Sequence, residues 1–151
     1  MFHLILYEPE IAPNTGNIIR LCANTGSRLH LIQPLGFTLT DKRLRRAGLD
    51  YREYADVREH ESLQLCLSEL GHPRILAIST RGRTAYNKHD FAKGDAILFG
   101  PETRGLPAEL LESMPESHVL RIPMRPNNRS LNLSNAAAIV LYEAWRQLAF
   151  Q

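Results

Sequence analysis

The chain of 151 residues is short of several things, and each shortage removes a class of protein. It has two cysteines, Cys22 and Cys66, far apart and without metal or redox spacing, so no disulfide scaffold is expected. Both stand among apolar neighbours and are expected in the core as small hydrophobes. The longest apolar run, Ala136 to Tyr142, is seven residues, against about 20 for a helix that spans a bilayer. The start, Met1-Phe2-His3-Leu4-Ile5-Leu6-Tyr7-Glu8, carries no basic segment and no small-residue cleavage site, so a cytoplasmic protein without a membrane partner is expected. Charge of one sign is lacking too. Eighteen Lys+Arg against sixteen Asp+Glu leave +2, too little to announce a nucleic-acid binder, although a local basic surface stays open. There is no G-x-G-x-x-G, G-K-[ST], H-E-x-x-H or G-x-S-x-G. Six histidines are scattered without ligand spacing, and no metal is expected.

What is present fits one globular domain. Hydrophobic residues make up 44% and charged residues 23%, near globular averages. A chain of this length buries roughly 70% of its extended surface and needs neither disulfide nor metal to fold. Phe2 to Glu8, Arg28 to Gln33, Arg74 to Thr80, Asp95 to Phe99 and His118 to Ile122 read as strands, with a short one at Tyr51 to Ala55. Asn14 is a good N-cap for a helix running to Thr25, with Gly26 as its stop. Further helices are expected at Asp41 to Gly48, Val57 to Leu70, Pro107 to Met114 and Leu131 to Phe150. Strands alternating with helices argue for an α/β domain with a mainly parallel sheet flanked by helices.

Two helices carry more than core. On the first, Ile18, Leu21, Cys22 and Thr25 share one face, while Asn17, Arg20 and Asn24 form a polar stripe. On the last, Ala137, Val140, Leu141, Ala144 and Leu148 make one apolar stripe, and Ala138, Ile139, Tyr142 and Trp145 widen it. Such coverage reads either as a wide core helix or as a subunit interface.

Ligands of open α/β sheets bind beyond the carboxyl ends of the strands. Three such ends are rich in glycine and proline: Ile78 to Gly82, Phe99 to Glu102, and Ile122 to Met124. Each places backbone donors and acceptors beside apolar side chains, as an adenine ring requires. Ser130, Asn132, Ser134 and Asn135 add small polar groups, which serve equally well as caps of the last helix.

Together these segments resemble a known family. Glu8-Pro9-Glu10-Ile11-Ala12-Pro13-Asn14-Thr15-Gly16-Asn17-Ile18-Ile19-Arg20-Leu21-Cys22-Ala23-Asn24-Thr25-Gly26 is similar to the first motif of the SpoU-type SPOUT RNA 2'-O-methyltransferases. Leu98 to Pro107 is similar to the second motif, and Ile122-Pro123-Met124 with Ser130 to Ala136 to the third. The resemblance covers nearly the whole chain and implies a single domain, 1–151, with a deep trefoil knot near the C-terminus. It implies S-adenosyl-L-methionine as methyl donor, S-adenosyl-L-homocysteine as product and a homodimer. Within the family, 42–51 and 142–147 are most similar to members acting on the wobble nucleotide, position 34, of leucine tRNAs. There the acceptor is the ribose 2'-hydroxyl of cytidine or carboxymethylaminomethyluridine. Ribosomal RNA methylation and RNA binding without catalysis are the alternatives.

By motif position, the resemblance implies donor contacts from Ile78, Gly100, Ile122 and Ser130, with Met124 and Leu131 nearby. Asn14, Arg20, Glu102, Ser134 and Asn135 match the polar active-site positions. Arg20 is either a perturbed base or a group that binds the phosphate–ribose unit and stabilises the alkoxide. Glu102 is expected to hold its loop through backbone donors, and it is carried also as an RNA contact. Arg43 and Arg46 on a short basic helix, and Arg81, Arg125 and Arg129 beside the site, are candidate phosphate contacts, with a solvated surface as the other reading. Tyr142 is a candidate stacking platform for an anticodon base.

Overall fold

The computed structural model describes residues 1–40, 42–45, 53 and 56–151, with backbone only at 43 and 45. Seven strands form one sheet: β1 (His3–Tyr7), β2 (Arg28–Ile32), β3 (Val57–His60), β4 (Ile75–Ile78), β5 (Thr84–Ala85), β6 (Ala96–Phe99) and β7 (Val119–Arg121). Their order is β3-β2-β1-β6-β4-β7-β5, and every pairing is parallel. The helices are α1 (Ala12–Thr25), α2 (Lys42–Arg45), α3 (Leu63–Glu69), α4 (Ala108–Glu112) and α5 (Leu133–Gln147).

A parallel sheet covered on both faces needs strands that are apolar on both faces. In β1, Leu4 and Leu6 point into the layer under α1 and α5, and Ile5 into the layer under α3 and α4. The first layer holds Ile18, Ile19 and Cys22 of α1 and Ala137, Val140, Leu141 and Ala144 of α5. The second holds Cys66 of α3 and Leu111 of α4. Both cysteines are free and buried, as expected of core residues.

Three expectations are corrected. The helix anticipated over 57–70 divides: Val57–His60 is an edge strand, and only Leu63–Glu69 is helical. The break is set by Ser62, whose extended backbone precedes the helix and whose hydroxyl accepts from the Leu65 N–H at 3.1 Å. The residues before it complete the outer hydrogen-bonding edge of β2, with Val57 opposite Leu29. Asn14 is not an N-cap. Helix α1 begins at Ala12 with Pro13 in its first turn, where a missing N–H is no loss. Asn14 lies inside that turn and its side chain is free for tertiary bonds. Of the anticipated strand 51–55 only Glu53 is described, and it is helical. The stretch 46–50 lies outside the described residues, so the expected helix is seen only as Lys42–Arg45.

Beyond β4 the backbone turns at Ser79–Gly82 directly against β7. The Ser79 N–H donates to the Leu120 carbonyl at 2.9 Å, and a Cβ on Gly82 would lie 2.5 Å from the Leu120 carbonyl carbon. The chain then pairs β5 with the far side of β7, so β7 lies between β4 and β5.

Candidate active site

At the carboxyl ends of β4, β6 and β7 lies a cavity of about 450 Å³, within the usual range for small-molecule sites. All six residues expected to hold a donor line it: Ile78, Gly100, Ile122, Met124, Ser130 and Leu131. Asn14 from α1 and Glu102 from the β6 loop line it as well. Asn132, at the start of α5, also lines it, whereas Ser134 and Asn135, in the first turn of that helix, are not among the lining residues.

Three polar groups lock the helix starts to the β6 loop. The Glu102 carboxylate accepts from the backbone N–H of Glu10 at 2.8 Å and of Ile11 at 3.1 Å. It also accepts from Asn14 Nδ2 at 3.4 Å. The Asn14 amide oxygen accepts from Asn132 Nδ2 at 3.0 Å. Asn132 Oδ1 in turn accepts from the N–H groups of Ser134 and Asn135 and from the Ser134 hydroxyl. Asn132 is therefore the α5 N-cap, and its amide bridges two helix N-termini. Glu102 holds its loop through backbone donors, as expected, and its carboxylate is committed to protein groups.

The loops clasp in the other direction too, through residues that sequence reasoning missed. Glu10 accepts from the N–H of Thr103 at 2.9 Å and from its hydroxyl at 2.8 Å, and Arg104 pairs with Glu8 at 3.0 Å. The two Thr103 donors hold the Glu10 carboxyl below its ordinary range. Nothing in local spacing reveals these pairs, which join residues more than ninety positions apart.

Arg20 is not among the cavity-lining residues. It lies on the exposed stripe of α1 with Asn17 and Asn24, its side chain 47% exposed, and its Nε is 3.4 Å from Glu53 Oε1. Arg81, Arg125 and Arg129 are exposed on the loops that rim the cavity. Tyr142 and Ile139 are exposed one turn apart on α5, and neither lines the cavity. The side chain of Arg43 and all of Arg46 lie outside the described residues.

The residues fit an adenosyl sulfonium donor. Ile78, Leu106, Ile122 and Leu133 offer apolar walls, and Met124 and Leu131 remain 38% and 40% exposed at the mouth. Among the lining residues of this loop, the backbone groups of Met124, Ser130 and Leu131 make no hydrogen bond with the described residues, leaving donors and acceptors for a ligand. Bulky apolar surface beside unspent backbone groups is the chemistry a purine ring needs.

The family model for the SpoU rRNA Methylase family matches residues 1–142. A relative from Methylovorus glucosotrophus (strain SIP3-4), a tRNA (cytidine(34)-2'-O)-methyltransferase, is 58% identical over 99% of this chain and 97% of its own. A solved structure concerning the 2-OH methylation of C/U34 on tRNA superposes with a TM-score of 0.91 at 47% identity, over 100% of this chain and 98% of that one. An AdoMet-bound rRNA methyltransferase from Sinorhizobium meliloti gives a TM-score of 0.80 at 25% identity, over 97% of this chain and 56% of its own.

Proposed function

The chain belongs to the SpoU rRNA Methylase family, and from that premise we propose that it methylates the ribose 2'-hydroxyl of nucleotide 34 in leucine tRNAs. The acceptor nucleotide is cytidine or carboxymethylaminomethyluridine, the donor S-adenosyl-L-methionine, and the product S-adenosyl-L-homocysteine. The observation that carries this reading is the single cavity into which segments far apart in sequence bring Ile78, Gly100, Ile122, Met124, Ser130 and Leu131. Near-full-length similarity to a wobble-cytidine methyltransferase supports the tRNA substrate. The 151 residues work as one SPOUT domain in the cytoplasm, and the close passage of Gly82 over Leu120 supports a knotted C-terminal half.

Bound there, S-adenosyl-L-methionine supplies an electrophilic methyl on a sulfonium. The residues do the rest by placement, since aligned reactants can contribute several kcal/mol toward the barrier. Ile78, Ile122 and Leu131 hold the adenosyl portion and exclude water. Glu102, Asn14 and Asn132 fix the start of α1 relative to the cavity, and α1 carries Arg20. Of the two roles considered for Arg20 we take the electrostatic one. A guanidinium is effectively always charged, so it holds the phosphate–ribose unit and stabilises negative charge on the 2'-oxygen as its proton passes to solvent water. Ser134 and Asn135 orient the ribose from the first turn of α5. Arg81, Arg125 and Arg129 take RNA phosphates, so tRNA affinity falls steeply with salt.

Exposed Ile139 and Tyr142 on α5 extend its apolar surface beyond the core-facing stripe. We take this as the face of a homodimer, which enlarges the RNA surface, and Tyr142 as part of that face instead of a base-stacking platform.

Ribose-methylation mapping of leucine tRNAs incubated with the pure protein and donor tests the assignment. A 2'-O-methyl group at position 34 is expected. Methylation confined to ribosomal RNA means another substrate, and donor binding without transfer to any RNA means a binding protein; either result overturns it.

A further inference from the structure

Histidines that look scattered in sequence gather on the sheet face covered by α3. His30 of β2 and His60 of β3 are 3% and 6% exposed, and Cys66 of α3 is fully buried. One ring nitrogen from each histidine and the Cys66 sulfur all lie within 4.8 Å of one another. We propose that His30, His60 and Cys66, none of which belongs to the three methyltransferase motifs, bind a thiophilic d¹⁰ metal ion, Zn²⁺ or Cu⁺.

The outer contacts decide which atoms ligate. His30 Nδ1 faces His60 Nε2 at 3.0 Å. The remaining ring nitrogens are both engaged: His3 Nδ1 lies 3.1 Å from His30 Nε2, and Glu69 Oε2 lies 3.3 Å from His60 Nδ1. Metal-bound imidazoles characteristically have the far nitrogen held by a carboxylate or another polar group. The facing pair is therefore left for the ion, with the sulfur as third ligand. Two nitrogens and a thiolate suit a zinc ion that keeps an open fourth position, or a trigonal cuprous ion.

Proton accounting agrees. Without metal, His60 Nε2 accepts from His30 Nδ1–H and His30 Nε2 accepts from His3 Nδ1–H, with the Glu69 carboxylate 3.3 Å from His60 Nδ1. With metal between them, His30 Nδ1 and His60 Nε2 both donate lone pairs to the ion. His60 keeps its proton on Nδ1, while His30 carries its own on Nε2 and donates to His3. His3, now accepting at Nδ1, holds its proton on Nε2. The only proton lost to solvent is the thiol's, so the ion replaces an N–H···N bridge and one S–H hydrogen. Coordination ties α3 to the outer edge of the sheet. Glu69, 69% exposed, stands at the surface end of the chain of contacts and marks the way in.

The test strips the full chain with chelator and titrates it separately with Zn²⁺, with Cu⁺ under reducing conditions, and with Co²⁺ as a spectroscopic substitute. Expected are one ion per chain for Zn²⁺ or Cu⁺ and a sulfur-to-cobalt charge-transfer band that Cys66→Ser abolishes. Glu69→Gln, on the surface and harmless to folding, is expected to weaken affinity roughly 10–100-fold, as loss of an outer carboxylate does. Whichever of the two ions binds in one equivalent identifies the occupant. No stoichiometric ion, a cobalt spectrum without the sulfur band, or equal affinity in native chain and Glu69→Gln overturns the proposal. Each readout is independent of methyl transfer.

Discussion

Replacing Gly100 by alanine tests whether the β6 loop is the rigid wall of the donor cavity. A Cβ there would lie 2.5 Å from the Leu106 nitrogen, 2.6 Å from the Gly105 carbonyl carbon and 3.0 Å from the Gly105 Cα. Ordinary contacts between such atoms are near 3.5–4.0 Å, so the shortfall is roughly 1 Å, and every atom met is backbone that no rotamer change can remove. The loop must move outward against the bonds that Glu102 and Glu10 make across it. Forced overpacking of this kind destabilises by about 1–3 kcal/mol, which corresponds to a fall in Tm of roughly 2–12 °C for a domain of this size. Misplacement by 1 Å near a reacting centre lowers rate by about 100-fold. Differential scanning calorimetry, donor titration calorimetry and single-turnover methylation measure the three effects. Gly71→Ala is the control: its φ of +73° strains any side chain, yet nothing lies within 4 Å of its Cβ. It should lose stability by about 1–2 kcal/mol while donor affinity stays normal. Unchanged donor affinity in Gly100→Ala, with a lowered Tm or without, refutes the placement of this loop against the donor.

Asn132→Ala removes the α5 N-cap and the bridge to Asn14 together, so the loss should exceed the usual ~1 kcal/mol for a cap; chemical denaturation reads it, and a loss under a few tenths contradicts the bridge. Glu10 contributes through its charged form, because its pKa is lowered in the fold by Thr103. That contribution is present above the ordinary carboxylate value and is lost as pH falls through the lowered one. Donor affinity should decline on acidification below that ordinary range, and Glu10→Gln should remove this component of the pH profile. Ile139→Lys with Tyr142→Lys should give a monomer by sedimentation, with methylation lost and monomer stability within about 0.5 kcal/mol, as for exposed positions.

The core of the fold was legible because burial on both faces writes itself as apolar runs. Ile75–Ile78 and Ala96–Phe99 are such runs, and both are strands. Val57–His60 carries two charges in four residues and sits at the sheet's edge, so its composition says nothing of a strand. Only Ser62, a good cap four residues before Cys66, marks where the helix had to start. The two-residue β5 has no sequence signature at all, since it exists by pairing with β7.

The site divides in the same way. Its apolar walls come from strand ends, and strand ends are visible. Its polar framework is not, because loop clasping joins residues with no common local period: Glu102 to Glu10, Asn132 to Asn14. Asn14 shows the limit most clearly. Its residue type argues for a cap, but Pro13 immediately before it argues against one, since a proline belongs in the first turn and the cap must precede it. Given that reading, an asparagine inside the turn has no local use for its amide. A buried amide must find partners elsewhere, and the loop after β6 and a second helix start are what the fold brings within its reach.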